Sequence, residues 1–78
     1  MVKVLSFERH EFLPAWWLLK LDRKEQPELL VHQNWVSENG ELKPGDEVVA
    51  EGTHIHYTYV ETPCALRLAR VPKQAIEA

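Results

Sequence analysis

Five short runs with strand-like alternation, separated by turn-forming residues, occupy a chain of only 78 residues, and this limits the fold more than any other feature. Residues 2–7 alternate, with Val2, Val4 and Ser6 on one face and Lys3, Leu5 and Phe7 on the other. Residues 16–21 (Trp-Trp-Leu-Leu-Lys-Leu) form a second run and residues 28–32 a third. Residues 47–51 open a fourth, which Gly52 interrupts as a bulge or bend and residues 53–60 continue. Residues 65–71 form a fifth. The spacers are a charged segment at 8–11 followed by Pro14, a charged turn at 22–27, the Asn39-Gly40 and Pro44-Gly45 pairs, and Pro63. No segment shows a convincing helical period. A sheet this small must curl on itself to bury one face and limit its edges. The expected fold is therefore all-β, a five-stranded, partly open barrel over residues 1–72. Residues 73–78 are expected to form a tail that frays or makes one helical turn. An SH3-like barrel is the main competitor, and alternation does not separate the two.

Composition narrows the function classes. A chain this short holds one core, and at 45% hydrophobic and 27% charged residues it has the apolar content to fold. The single cysteine, Cys64, excludes an internal disulfide and Cys-based zinc or redox motifs, and a small packing residue is its expected role. No apolar run is long enough to span a membrane, and Glu8, Arg9 and His10 interrupt the apolar start too soon for a signal peptide, so a cytoplasmic protein is expected. A net charge of −3 is the wrong sign for gripping duplex phosphates by counterion release. Single strands stay open to it, because bases stacking on exposed rings contribute roughly 1–3 kcal/mol each without help from net charge.

Alternation then assigns faces. Adjacent strand residues point to opposite sides, so Trp16 and Trp17 cannot both enter the core. The set Trp17, Leu19 and Leu21 is wholly apolar and is assigned inward, which leaves Trp16, Leu18 and Lys20 outside. The same logic buries Leu29 and Val31 and exposes Leu30 and His32. It also buries Val2 and Val4 and exposes Lys3, Leu5 and Phe7. Neighbouring strands would gather Phe7, Trp16, Leu18, Leu30 and His32 into one outer patch bordered by Lys3 and Lys20, and such a patch usually marks a partner surface.

These residues resemble a known family. Leu29-Leu30-Val31-His32-Gln33, Trp35-Val36, Gly40 and Leu42-Lys43-Pro44-Gly45-Asp46-Glu47-Val48 resemble the second half of the cold-shock domain. There a Val-Phe-Val-His motif precedes a turn and a Leu-Lys-x-Gly-x-x-Val stretch. Val2-Lys3 and residues 16–19 look like its first two strands, and residues 62–71 look like its closing strand. The resemblance covers about residues 2–71 and implies a small oligonucleotide-binding (OB-fold) barrel. It also implies a nucleic-acid site in which Trp16, Leu18, Leu30, His32 and Lys3 occupy the positions of the family's stacking and phosphate-contacting residues. Leu18 and Leu30 stand where the family has phenylalanine, and the glycines of its second strand are absent. An S1-type barrel shares the Leu-Val-His and Gly-Asp-Glu-Val flavour.

The expected function is binding of single-stranded RNA or DNA, RNA before DNA. Lys3, Phe7, Trp16, Leu18, Lys20, Leu30, His32 and Trp35 form the candidate site, and no cofactor is expected. The role implied is keeping RNA unpaired or tuning transcription and translation. The alternative is a protein-interaction module in which the same patch buries against a partner or a second copy. Other constellations carry less. His54 and His56 share a strand face at chelating spacing, but no third ligand is obvious beyond Glu51 or Glu61, and no metal is expected. Carboxylates such as Glu8, Glu11 and Asp22 define no cleft, so neither catalysis nor a small-molecule substrate is expected.

Overall fold

The computed structural model describes residues 1–55 and 60–72. Its elements are β1 (Val2–Arg9), β2 (Trp16–Leu21), β3 (Glu28–His32), α1 (Gln33–Asn39), β4 (Glu47–Thr53) and β5 (Cys64–Arg70). The five strands form one sheet that closes on itself in the order β1-β2-β3-β5-β4. All its contacts are antiparallel except β3 with β5, which run parallel and meet at Leu30 and Cys64.

Inside the ring lie Val4, Trp17, Leu19, Leu21, Leu29, Val31, Val48 and Ala50, joined by Val36 of α1 and by Leu42. Burying each large aliphatic of this set contributes about 1.5–3 kcal/mol. β2 supplies the cleanest alternation: Trp17, Leu19 and Leu21 are buried, Trp16 and Leu18 are half-buried, and Lys20 is exposed. The face assignment made from the sequence holds along this strand.

Two bulges reset the alternation elsewhere. In β1, Val4 pairs with Leu21 but Ser6 pairs with Lys20, so Leu5 is an extra residue with no partner in β2 and is 55% exposed. Beyond it the parity is reversed, and Phe7 lies opposite Leu19 on the inner side. In β5, Glu51 pairs with Arg67 and Gly52 with Ala65, which leaves Leu66 as the bulged residue. Gly52 therefore marks the irregularity expected of it, with the extra residue on the facing strand.

The helix α1 departs from the sequence expectation. Its seven residues are too few to display a helical period, and its entry residue, His32, is not a usual N-cap type. Tertiary contacts define it. The Trp35 Nε1–H donates to the Leu68 carbonyl at 2.9 Å, and Arg70 Nη2 donates to the carbonyls of Asn39 and Gly40 at 2.9 and 3.2 Å. Gly40, with φ of 84°, ends the helix as its N–H reaches back to the Val36 carbonyl. Pro44-Gly45 makes the expected turn, with Gly45 at φ 95° and the Asp46 N–H bonded to the Lys43 carbonyl. The fourth strand ends at Thr53, with His54 and Ile55 outside it, while its expected continuation through 56–59 and the tail at 73–78 lie outside the described residues. No helix of the described residues is long and apolar enough to cross a membrane.

The close approach at Gly52 is testable. A Cβ there would collide with Leu29 Cδ2 and lie 3.0 Å from the Cys64 carbonyl oxygen, where backbone cannot yield cheaply. Gly52→Ala should therefore cost about 1–3 kcal/mol of unfolding free energy by urea titration, whereas an exposed strand change such as Glu51→Ala should cost under about 0.5 kcal/mol.

Candidate functional site

The outer face of β1, β2 and β3 carries three rows across the strands, set by the pairing register. One holds Ser6, Lys20 and Glu28, and the next Glu8, Leu18 and Leu30. The last holds Trp16 and His32, with His10 beside them through the His10 N–H bond to the Trp16 carbonyl at 3.0 Å. The His32 ring meets Trp16 edge-on with centroids 4.9 Å apart. The His10 ring stands 5.9 Å from that of Phe12, which is 70% exposed in the connection between β1 and β2. An aromatic strip, Phe12, His10, Trp16 and His32, thus runs across one end of the sheet.

Backbone donors fix the two imidazoles. Asn34 N–H donates to His32 Nδ1 at 3.1 Å, and Phe12 N–H donates to His10 Nδ1 at 3.0 Å. An Nδ1 that accepts carries no proton, so each neutral ring holds its hydrogen on Nε2 as the remaining donor. The connection that presents Phe12 is tied down at several points. Trp16 N–H bonds to the Leu13 carbonyl at 2.9 Å, Gln33 N–H to the Ala15 carbonyl at 2.8 Å, and Arg9 Nη1 to the Pro14 carbonyl at 3.3 Å.

The residues picked out from the sequence separate into groups. Trp16, Leu18 and His32 come together on the outer face as expected. Lys20 is exposed there too, but it sits four residues from Trp16, about 13 Å along the strand, and directly opposite Glu28. Lys3 is exposed but faces Glu47 of β4 near the other end of β1, about 20 Å from the Trp16 row at ~3.3 Å per residue, so it does not border the strip.

Three placements correct the expectation. Phe7 turns inward after the Leu5 bulge and stacks on Trp17 with centroids 4.9 Å apart and planes 10° apart, with the Arg9 guanidinium 5.0 Å from the Trp17 ring centre. Leu30 points away from the interior cluster but is 0% exposed. Its N–H bonds to the Pro63 carbonyl, where the chain entering β5 runs alongside β3, and alternation within one strand cannot register that neighbour. Trp35 packs against the core with its N–H committed to Leu68, so its ring braces the helix rather than offering a stacking surface.

His10 and Phe12 were missed. Residues 8–11 read as a charged break, yet Glu8, His10 and Phe12 continue one parity past the end of β1, and that spacing was the available signal. Of the pair at 54 and 56, His56 lies outside the described residues, and no cluster of three or more potential metal ligands occurs among the described residues. An open depression of about 800 Å³ lined by Met1, Asp46, Glu47, Arg70 and Val71 shares no residue with the strip. No protein-family model matches the chain, and neither a curated protein nor a solved structure matches it.

The two adjacent indoles should separate cleanly in stability measurements. Trp17→Ala removes a buried ring and its bond to Gln33 Oε1 at 2.7 Å and should cost about 3–5 kcal/mol, while Trp16→Ala, on the outer face, should cost about 1 kcal/mol. Nitrogen-detected NMR of the imidazoles at neutral pH should place the proton of His10 and His32 on Nε2. An Nδ1–H form of either would contradict the bonds described.

Proposed function

We propose that the chain binds single-stranded nucleic acid on the outer face of β2 and β3, as an oligonucleotide-binding barrel of the cold-shock type. The strand order, with a parallel β3–β5 closure and a helix between β3 and β4, supports this reading. Barrels of that class present strands 2 and 3 and the loop between strands 1 and 2 to oligonucleotides. The observation that carries the proposal is the strip of Phe12, His10, Trp16 and His32, which lies on those two strands and that loop. A cytoplasmic role in keeping RNA unpaired belongs to the same proposal.

Magnitudes set the expected strength. Phe12 and Trp16 are the large rings of the strip, and two stacked bases contribute roughly 2–6 kcal/mol at 1–3 each. A micromolar complex needs about 8.2 kcal/mol, so binding to a short strand should be micromolar or weaker. The outer rows supply Lys20 against Glu8 and Glu28, so phosphate contacts add little.

A protein partner on the same face is the second reading, and the 70% exposure of Phe12 on a negatively charged chain favours it. Titration separates the two: short oligonucleotides quench Trp16 in the first reading and leave it unchanged in the second. With Lys20 set against two carboxylates, the steep salt dependence of a phosphate clamp is expected in neither case.

Titration of the intrinsic tryptophan fluorescence with short single-stranded RNA and DNA tests the proposal. Saturable quenching is expected, and it should be abolished by Trp16→Ala and weakened about fivefold or more by Phe12→Ala, with the circular dichroism of the fold retained. Trp17 and Trp35 stay in place in both variants and report any non-specific effect. Absence of saturable quenching by either nucleic acid in the wild-type protein would remove the proposal and leave the protein-partner reading.

A further inference from the structure

We infer that the strand bound is RNA, with the Glu8 carboxylate accepting a hydrogen bond from the ribose 2′-hydroxyl of the nucleotide stacked on Trp16. The inference rests on the nucleic-acid reading and adds the sugar specificity that the reading leaves open. It starts from what surrounds Trp16. The sugar is bonded directly to the base, so stacking on this indole brings a ribose to the margin of the ring, toward β1 or toward β3. On the β3 side, the outer position one row along is Leu30, which is fully buried and presents nothing to a sugar. On the β1 side, the equivalent position is Glu8, opposite Leu18 and diagonal to Trp16. Diagonal cross-strand neighbours lie about 7–8 Å apart, within reach of a long side chain.

Glu8 suits this task. It is exposed, and its carboxylate has no hydrogen-bond or ion-pair partner among the described residues. An ionised carboxylate only accepts, so it can meet a hydroxyl donor and repels a phosphodiester. The 2′-hydroxyl is the group by which a protein distinguishes RNA from DNA, and a carboxylate binding a ribose hydroxyl is an established pairing in dinucleotide folds. DNA at this position would bring no donor and leave only the repulsion. Lys20, the other diagonal neighbour of Glu8 on β2, stands directly opposite Glu28, so its single charge is shared between two carboxylates. The same carboxylate that lowers affinity for a phosphate backbone thereby becomes the source of sugar selectivity.

The test is fluorescence anisotropy of labelled hexanucleotides in matched ribo, 2′-deoxyribo and 2′-O-methyl form, in uridine and adenosine series, at fixed low salt. The ribo form should bind about tenfold tighter than the deoxy form. The 2′-O-methyl form keeps the oxygen but loses the donor, and it should behave like the deoxy form. In Glu8→Ala the three forms should converge, through weaker RNA binding and stronger DNA binding. Glu8→Gln, which keeps an acceptor and loses the charge, should retain part of the preference. Equal binding of the three forms by the wild-type protein would overturn the inference while leaving the nucleic-acid reading in place, as would a preference that persists in Glu8→Ala. Failure of every oligonucleotide to bind would overturn both.

Discussion

Closure of the ring between β3 and β5 is the constraint on which the rest of the structure depends. The two strands share a single register pair, Leu30 with Cys64, and one bond from Leu30 N–H to Pro63 beside it. Side chains and the short helix supply what the backbone leaves out. Trp35 and Arg70 tie α1 to β5 from both directions, and Gln33, the first residue of the helix, accepts from the buried Trp17 indole while its own N–H holds the β1–β2 connection at Ala15. Each of these bonds contributes only about 1 kcal/mol net, but together they fix where β3 ends and how α1 leaves it. His32 stands at that exit, capping the helix with Nδ1 while its ring meets Trp16 edge-on. Ring closure and the outer aromatic strip thus share consecutive residues.

What the sequence made legible follows from the range of the forces involved. Alternation along β2 reflects a local choice between water and core, and it placed Trp16 and Trp17 on their correct sides. The glycine at 52 and the Pro44-Gly45 turn were equally readable, because a close backbone approach or a positive φ leaves few residue types able to comply. Phe7, Leu30 and Trp35 were misread for a common reason. A bulge, a neighbouring chain segment and a helix–strand hydrogen bond decide their surroundings, and each involves residues distant in sequence. Within the candidate site, Trp16, Leu18 and His32 were visible beforehand. His10 and Phe12 were hidden in a segment that its charges made look like a plain turn.

The electrostatics of the outer face fit a modest, ring-based recognition better than a phosphate clamp. Its charged positions are Glu8, Lys20 and Glu28, with Lys3 set against Glu47 at the far end of β1. The arginines are largely occupied with architecture. Arg23 bonds to the carbonyls of Gln26 and Ala50, Arg70 to the end of α1, and Arg9 lies over Trp17. With these guanidinium groups held in the framework, the proposed binding of unstacked bases would rest on the rings of the strip rather than on arginine contacts to phosphate.

The extra residue in β1 carries an implication for how such a face changes over time. Leu5 contributes no cross-strand pair to β2, and the residues on either side of it keep the faces their partners set, Val4 with Leu21 inside and Ser6 with Lys20 outside. Losing that one residue would leave Phe7 opposite Leu19 and Glu8 opposite Leu18, with the same side chains inside and outside and only the local bend removed. The bulge is thus a place where β1 can change length by one residue without exchanging its inner and outer side chains. Elsewhere in a regular ladder a one-residue slip carries every later side chain to the other face.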